Sequence, residues 1–316
     1  MSPTSSIELL LRGPGGEPVD FRRTLLSHGV ASLPPMTVHE QGFDFEITLP
    51  LTGGRPRTVF VEAGERPGRA VLRVLGRPPG RAAQTQLLAQ VRHILRLEED
   101  LSNFYQRCSS DPSLAWVASG AGRMIRSPTV FEDVVKTICT TNCAWSATER
   151  MVGALVEYLG EPAPGAPPTG PRGRAFPAPA AMAEAGESFY RDVARAGYRG
   201  PYLLALARAV AEGSLDLEVL GRASREEITD AEMSARLQMI PGVGPYAAAH
   251  IMLMIGRYSE LILDSWTRPT YARLTRRRTV KDSTIERRFR RYGPYAGLAF
   301  WLFLTKGWVE EAEGAV

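Results

Sequence analysis

The first third of the chain alternates apolar and polar residues. Segments 43–51, 57–63 and 69–76 each follow a period of two, and Gly-Gly and Glu-Arg-Pro-Gly sequences separate them. This pattern is typical of strands that are buried on one face and joined by turns. We therefore predict an antiparallel sheet, followed by two helices at about 80–96 and 98–107.

From about residue 112 onward, the apolar residues recur at helical spacing. A stretch rich in proline and glycine, 161–179, interrupts this spacing and predicts a long loop. The sequence therefore predicts an α+β protein with a β-rich N-terminal domain at 1–110 and an all-helical domain at 111–316. Helices of the second domain are predicted at 127–142, 144–159, 180–195, 201–212, 229–239, 246–256, 265–276, 281–291 and 294–308.

Two sequences carry signals for the start of a helix. Ser127 is a candidate cap with Pro128 at the first helical position, and Thr129 with Glu132 forms a candidate capping box two residues later. The Thr229–Glu232 sequence is a second capping box.

Length and composition indicate a globular protein. The chain has 316 residues, of which 44% are hydrophobic, and no apolar run reaches the roughly 18 residues that span a bilayer. The N-terminus has no basic segment followed by an apolar one, so we expect no signal peptide and a cytoplasmic location. Nothing in the sequence indicates more than a monomer.

The positive charge is concentrated near the C-terminus. The net charge is +4, yet segment 273–293 holds nine basic and two acidic residues. Such a run either binds phosphate or forms a solvated helix face in an arginine-rich protein. The chain contains only three lysines, Lys136, Lys281 and Lys306.

The three cysteines, Cys108, Cys139 and Cys143, do not form a disulfide framework. They also exclude a four-cysteine iron–sulfur cluster within one chain. A metal site built from Cys139, Cys143 and either His93 or His250 is an alternative, but no pair of histidines has ligand spacing, and we expect no metal.

The most informative segment is LQMIPGVGPYAAAHIML, at 237–253. Two helices are joined here by a turn that contains Gly242, Val243 and Gly244, and glycine leaves the backbone bare and adopts positive φ readily. The second helix begins directly after Gly244, so its unpaired N–H groups and positive dipole end form a site for an anion such as a DNA phosphate. We expect the backbone near Tyr246 to take part.

A single carboxylate, Asp264, follows this turn by about twenty residues. It lies in the sequence LILDSWTRPTYARL, after three apolar residues and before a predicted helix. Asp264 is either a helix cap, because aspartate is a favoured capping residue, or a catalytic carboxylate at the edge of a cleft.

The hairpin followed by an aspartate at this spacing resembles the helix-hairpin-helix GPD superfamily of DNA glycosylases. Segment 131–160 resembles the broken helix that these enzymes insert into DNA, and segments 176–210 and 294–308 resemble regions of 8-oxoguanine glycosylase and 3-methyladenine glycosylase II. The resemblance covers roughly residues 20–310 and is weakest in the first hundred. It implies that the N-terminal domain is TBP-like and that the partner is double-stranded DNA with a damaged base.

The resemblance also implies a role for Asp264 and excludes another. In bifunctional members, a lysine at the start of the second hairpin helix attacks C1′, but the matching residue here is Tyr246, and no lysine occurs between 137 and 280. We therefore expect a monofunctional enzyme without lyase activity, in which Asp264 stabilises the developing positive charge and orients water. This device suits a base that leaves readily, such as alkylated 3-methyladenine or 7-methylguanine. Such an enzyme would act on the bacterial nucleoid.

Aromatic and polar residues complete the expected site. We predict that Tyr246, Trp145 and Trp301 line the pocket for the flipped base, where their faces attract a cationic ring. Thr141 and Asn142 are expected to contact DNA where the helix breaks, although such a sequence also occurs at ordinary helix ends. Trp266 and Phe303 are expected in the core.

Two alternatives to a glycosylase for alkylated purines remain open. The first is a glycosylase for oxidised or deaminated bases. The second is a DNA-binding module that has kept the hairpin and lost the chemistry. We expect no organic cofactor, with a monovalent cation at the hairpin as an aid to phosphate binding.

Overall fold

A computed structural model describes residues 6–39 and 41–309. Its sheet has five antiparallel strands in the order β1-β5-β4-β3-β2. The strands are β1 (Ser6–Leu10), β2 (Met36–His39), β3 (Asp44–Leu51), β4 (Gly54–Ala63) and β5 (Arg69–Val74). The three predicted strands are thus confirmed, and the two edge strands were missed because they are too short to show a pattern.

The alternation of β3, β4 and β5 places one face of the sheet in a core. Phe45 pairs with Val61, Val61 pairs with Leu72, and all three side chains are fully buried. Helix α2 (Arg81–Ile94) contributes Leu87 to the same core. The predicted antiparallel sheet with one covered face is confirmed.

The rest of the described chain is helical. Helix α4 (Val130–Thr140) is followed after a break by α5 (Trp145–Leu159), and α10 (Asp230–Gln238) leads into α11 (Pro245–Met254). The other helices are α1 (Phe21–Leu25), α3 (Ser102–Ser109), α6 (Pro179–Glu184), α7 (Gly186–Ser188), α8 (Arg199–Ala211), α9 (Leu217–Arg222), α12 (Thr267–Leu274), α13 (Asp282–Phe289) and α14 (Ala296–Thr305). The predicted helices at 180–195 and 265–276 are shorter or interrupted in the structure.

The capping signals are partly confirmed. Helix α4 begins at Val130, because the Thr129 side chain accepts a hydrogen bond from the Glu132 N–H at 3.2 Å. The start at Ser127 and Pro128 is therefore wrong, and the Ser127 N–H instead donates to Asp133 Oδ1 at 3.0 Å. The Thr229 cap of α10 forms as expected, also at 3.2 Å.

Helix α3 joins the C-terminal helices rather than the sheet. Phe104 and Cys108 of α3 pack in one apolar cluster with Leu298 and Phe300 of α14. Ile125, in contrast, packs with the sheet. Each region thus contributes side chains to the core of the other. The domain limits at 1–110 and 111–316 remain a prediction.

The 161–179 segment packs against the sheet. The guanidinium of Arg172 donates two hydrogen bonds of 3.0 Å to the Glu46 carboxylate on β3. Arg55 on β4 donates to the Pro162 carbonyl at 3.1 Å. The loop therefore ties the end of α5 to the sheet. Across the described residues, no helix has the length and apolar character needed to cross a membrane.

Candidate active site

Of the two glycines in the hairpin between α10 and α11, only one has a backbone conformation that requires glycine. Gly242 has φ +88°, and a Cβ at this residue would lie 2.8 Å from Cδ2 of Tyr202. Gly244 has φ −91°, and a Cβ there would meet nothing within 4 Å. Gly242 is therefore required by both conformation and space, whereas Gly244 leaves an open surface.

The N-terminus of α11 offers unpaired N–H groups. Pro245 has no N–H, and the Ala248 N–H is the first to bond back, to the Gly244 carbonyl at 2.9 Å. The N–H groups of Tyr246 and Ala247 therefore have no partner within the helix. The side chain of Val243 is 4% exposed, so this residue anchors the hairpin, and any contact it makes with DNA would come from its backbone.

A cleft of about 850 Å³ opens beside the hairpin. It contains both ends of the predicted site, since Asn142 and Asp264 lie along it together with Gly244 and Tyr246. Its lining consists of residues 140–143, Tyr198, Tyr202, residues 238–247 and residues 263–265.

Asp264 is partly buried and uses one oxygen to cap a helix. Its Oδ1 accepts hydrogen bonds from the N–H groups of Trp266 at 2.8 Å and Thr267 at 2.7 Å, and its own N–H donates to Thr267 Oγ1 at 2.8 Å. Among residues 6–39 and 41–309, neither a hydrogen bond to Oδ2 nor an ion pair with Asp264 occurs. The neighbouring Arg268 is engaged by Asp282 through bonds of 2.8 and 2.9 Å.

A set of four aromatic side chains, called the aromatic group below, extends from Asp264 into the protein and consists of Tyr246, His250, Trp266 and Trp301. The rings of Tyr246 and His250 have centroids 4.3 Å apart and are tilted against each other, and the His250 ring lies 6.4 Å from that of Trp301. Trp266 lies 5.7 Å from Trp301. Burial and the charge of Asp264 together raise the pKa of Tyr246 to about 12, so its phenol stays protonated at neutral pH.

The tryptophans differ from their predicted positions. Trp301 is 7% exposed, its indole N–H donates to the Ser27 carbonyl at 2.7 Å, and it is not among the residues that line the cleft. Trp266 was expected in the core, but this is wrong, because it is 39% exposed. Trp145 is 42% exposed and does not line the cleft. Phe303 packs against the C-terminal core as expected.

The break after α4 is built around a strained residue. Asn142 has φ +46°, which asparagine tolerates better than most residues. The carbonyl of Thr141 accepts hydrogen bonds from Arg199 and, at 3.4 Å, from the Tyr198 hydroxyl. Tyr198 is 53% exposed in the cleft. Tyr198 belongs to segment 176–210, which carries part of the resemblance in the sequence, but it was not among the predicted site residues.

Lys136 lies away from the cleft. It is 1% exposed, its Nζ is 2.7 Å from Glu132 Oε1, and it donates to the Leu33 carbonyl at 3.1 Å. Its amine is thus held in the interior by a paired carboxylate. Tyr246 borders the cleft.

The metal alternative finds no support in the described part of the chain, which contains no group of three His, Cys, Asp or Glu side chains placed to hold an ion. Cys143 Sγ instead contacts the Cys139 carbonyl at 3.2 Å. The basic segment 273–293 runs from the end of α12 through α13, and most of its cationic side chains are exposed.

The fold is similar to that of solved DNA glycosylases. The chain is similar to a 3-methyladenine DNA-glycosylase from Archaeoglobus fulgidus, with a TM-score of 0.70, 17% identity, and coverage of 95% of this chain and 98% of that one. It is similar to the 8-oxoguanine glycosylase/lyase of Clostridium acetobutylicum in complex with double-stranded DNA, with a TM-score of 0.70, 19% identity, and coverage of 100% and 99%. No protein-family model and no curated protein matches the chain.

Proposed function

We propose that the protein is a DNA glycosylase that takes a damaged base out of duplex DNA and hydrolyses its N-glycosidic bond. The observation that carries this proposal is the cleft in which the Asp264 carboxylate and the open N-terminus of α11 lie together. The helix end suits a phosphate of the damaged strand, and the carboxylate suits the sugar beside it.

In the proposed reaction, the bond between C1′ and the base nitrogen breaks and the base leaves with the bonding electron pair. The sugar develops oxocarbenium character, which the charge of Asp264 stabilises. Water then bonds to C1′ through its oxygen and gives up a proton to Asp264 or to solvent, while a cationic alkylated base leaves as the neutral free base. The products are therefore an abasic site, the free base and a proton. Asp264 is suited to orienting this water, because its Oδ2 has no partner among the described residues and its Oδ1 is fixed by two N–H groups.

We propose further that the enzyme is monofunctional and acts on alkylated purines. A lyase needs an amine that reaches C1′, yet Tyr246 occupies the matching position and Lys136 is held inside the protein. A cationic base needs little help to leave, and the exposed rings of Tyr246 and Trp266 suit a positive ring by cation–π attraction. The likeness to an 8-oxoguanine glycosylase/lyase keeps a neutral oxidised base as the second candidate.

A panel of duplexes tests this proposal. Duplexes that carry 3-methyladenine, 7-methylguanine, hypoxanthine, 8-oxoguanine or uracil are incubated with the protein, and release of the base is measured. We expect the alkylated purines to be released fastest. Asp264→Asn keeps the capping oxygen, and we expect it to lower turnover by about a hundredfold or more while DNA binding remains.

The matched control is Asp282→Asn, which removes the charge of another carboxylate near the same helix, one that is paired with Arg268 outside the cleft. We expect it to leave turnover unchanged. If no duplex of the panel is cut but undamaged and damaged DNA bind equally, the protein is the non-catalytic DNA-binding module.

A further inference from the structure

His250 lies inside the aromatic group, one helical turn after Tyr246. Its ring is tilted 50° against the Tyr246 ring and meets Trp301 nearly at a right angle, at 79°. The side chain is partly buried. It is a polar group among rings that otherwise offer apolar faces, and the proposed mechanism does not use it.

The contacts of His250 assign its tautomer. Nδ1 lies 3.1 Å from the backbone carbonyl oxygen of Tyr246. A carbonyl only accepts, so Nδ1 carries the proton, and Nε2 of the neutral ring keeps a lone pair. Within residues 6–39 and 41–309, Nε2 has no hydrogen-bond partner, and it is not among the polar atoms shut off from solvent. An unused acceptor therefore remains beside the rings.

The surroundings keep this imidazole neutral. Burial lowers the pKa of His250, and the bond to Tyr246 and the charge of Asp264 oppose this only in part. His28 is the other titratable neighbour, and burial lowers its pKa to about 4, so it adds no positive charge at neutral pH. His250 therefore presents an acceptor and no second N–H donor.

We propose that Nε2 of His250 accepts a hydrogen bond from an amino group of the extruded base, and so selects aminopurines over bases with a carbonyl at the same position. This inference rests on the proposed function, since it assigns the base to the aromatic group. A carbonyl oxygen facing Nε2 would oppose two lone pairs and lose a hydrogen bond.

Alkylation strengthens the same contact. The positive charge of an alkylated adenine or guanine is delocalised onto its amino group, which becomes a better donor, and hydrogen bonds to charged groups are stronger than neutral ones. The rings of Tyr246 and Trp266 would favour that cation through their faces. The Nε2 acceptor of His250 and the ring faces of Tyr246 and Trp266 thus select for the same chemical class, a cationic aminopurine.

The test compares two free bases that differ at one position. The full-length protein is titrated with 3-methyladenine and with 3-methylhypoxanthine, which carries a carbonyl in place of the amino group. Quenching of tryptophan fluorescence reports binding, because Trp266 is 39% exposed and lies next to Trp301. We expect 3-methyladenine to bind about tenfold more tightly, as the loss of one hydrogen bond implies.

Two variants test the role of His250. His250→Phe keeps a flat ring without an acceptor, and we expect it to lower the preference to near onefold. His250→Gln offers both a donor and an acceptor, and we expect it to bind both bases. Equal binding by the unaltered protein, absence of binding, or retention of the preference by His250→Phe would each overturn the inference. If damaged duplexes are still cut in those cases, the proposed function stands without it.

Discussion

The hairpin offers a direct test of its geometry through Gly242→Ala. An L-residue at φ +88° costs about 1–2 kcal/mol. The added Cβ would also lie 2.8 Å from the ring of Tyr202, and overpacking of this kind costs about 1–3 kcal/mol. We expect the free energy of unfolding to fall by about 2–5 kcal/mol.

Gly244→Ala is the matched control, with the same added methyl group two residues away. Its backbone is extended, at φ −91° and ψ −176°, and a Cβ meets nothing within 4 Å. We expect its unfolding free energy to stay within about 0.5 kcal/mol of the parent. Its DNA affinity should fall nevertheless, because the methyl group lies where the proposed phosphate would approach α11.

The assay is urea unfolding, followed by tryptophan fluorescence, combined with titration of a labelled duplex. Tyr202→Ala separates strain from contact, since it removes the ring that the new Cβ meets. In that background we expect Gly242→Ala to cost only about 1–2 kcal/mol. Equal costs in both backgrounds would show that the close approach is unimportant. Equal destabilisation by Gly244→Ala would refute the hairpin geometry.

Two further predictions concern Schiff-base formation and the pH dependence of stability. Borohydride added during a reaction with damaged DNA should trap no protein–DNA adduct, because Tyr246 cannot form a Schiff base and Lys136 is held by Glu132. Denaturing gels measure this, and a trapped adduct would disprove monofunctionality. Burial lowers the pKa of His28 to about 4 from its ordinary 6.5, so only the unfolded chain takes up the proton between these values, and stability is lost as pH falls. The contribution of His28 to this loss between pH 7.5 and 5.0 should be about 2 kcal/mol by urea unfolding. Burial also lowers the pKa of His93, to about 3, so His28→Gln should reduce the total loss by about that amount without abolishing it, whereas His39→Gln, whose imidazole is exposed, should leave it unchanged.

Local patterns predicted the elements that carry their own signal. The strands at 43–51, 57–63 and 69–76 alternate strictly, and the Thr229 box is a contiguous capping sequence, so both were visible without any tertiary information. The four-residue strand β2 was not predictable in this way, and the start predicted for α4 at Ser127 is wrong. Ser127 is drawn into a bond with Asp133 that depends on the folded helix.

Placement in the site was harder to predict than the elements. Trp266, in the polar sequence DSWTRP, is 39% exposed, whereas Trp301, in the apolar sequence AFWLF, is 7% exposed and donates its indole N–H to the Ser27 carbonyl. That carbonyl lies 274 residues away along the chain. Tyr198 was not predicted as a site residue, and His250 was considered only as a metal ligand, since their partners, Thr141 and Trp301, lie far from them along the chain.

Asp264 shows why a structural and a catalytic interpretation of one residue need not compete. The two N–H groups that hold Oδ1 restrain the orientation of a side chain that lines the cleft, and they leave Oδ2 without a partner among the described residues. A carboxylate fixed before the substrate arrives loses little reorganisation energy when charge develops at the sugar. The capping bonds would then be part of the catalytic device. Asp264→Ala should therefore lose stability and turnover together, whereas Asp264→Asn should lose turnover alone.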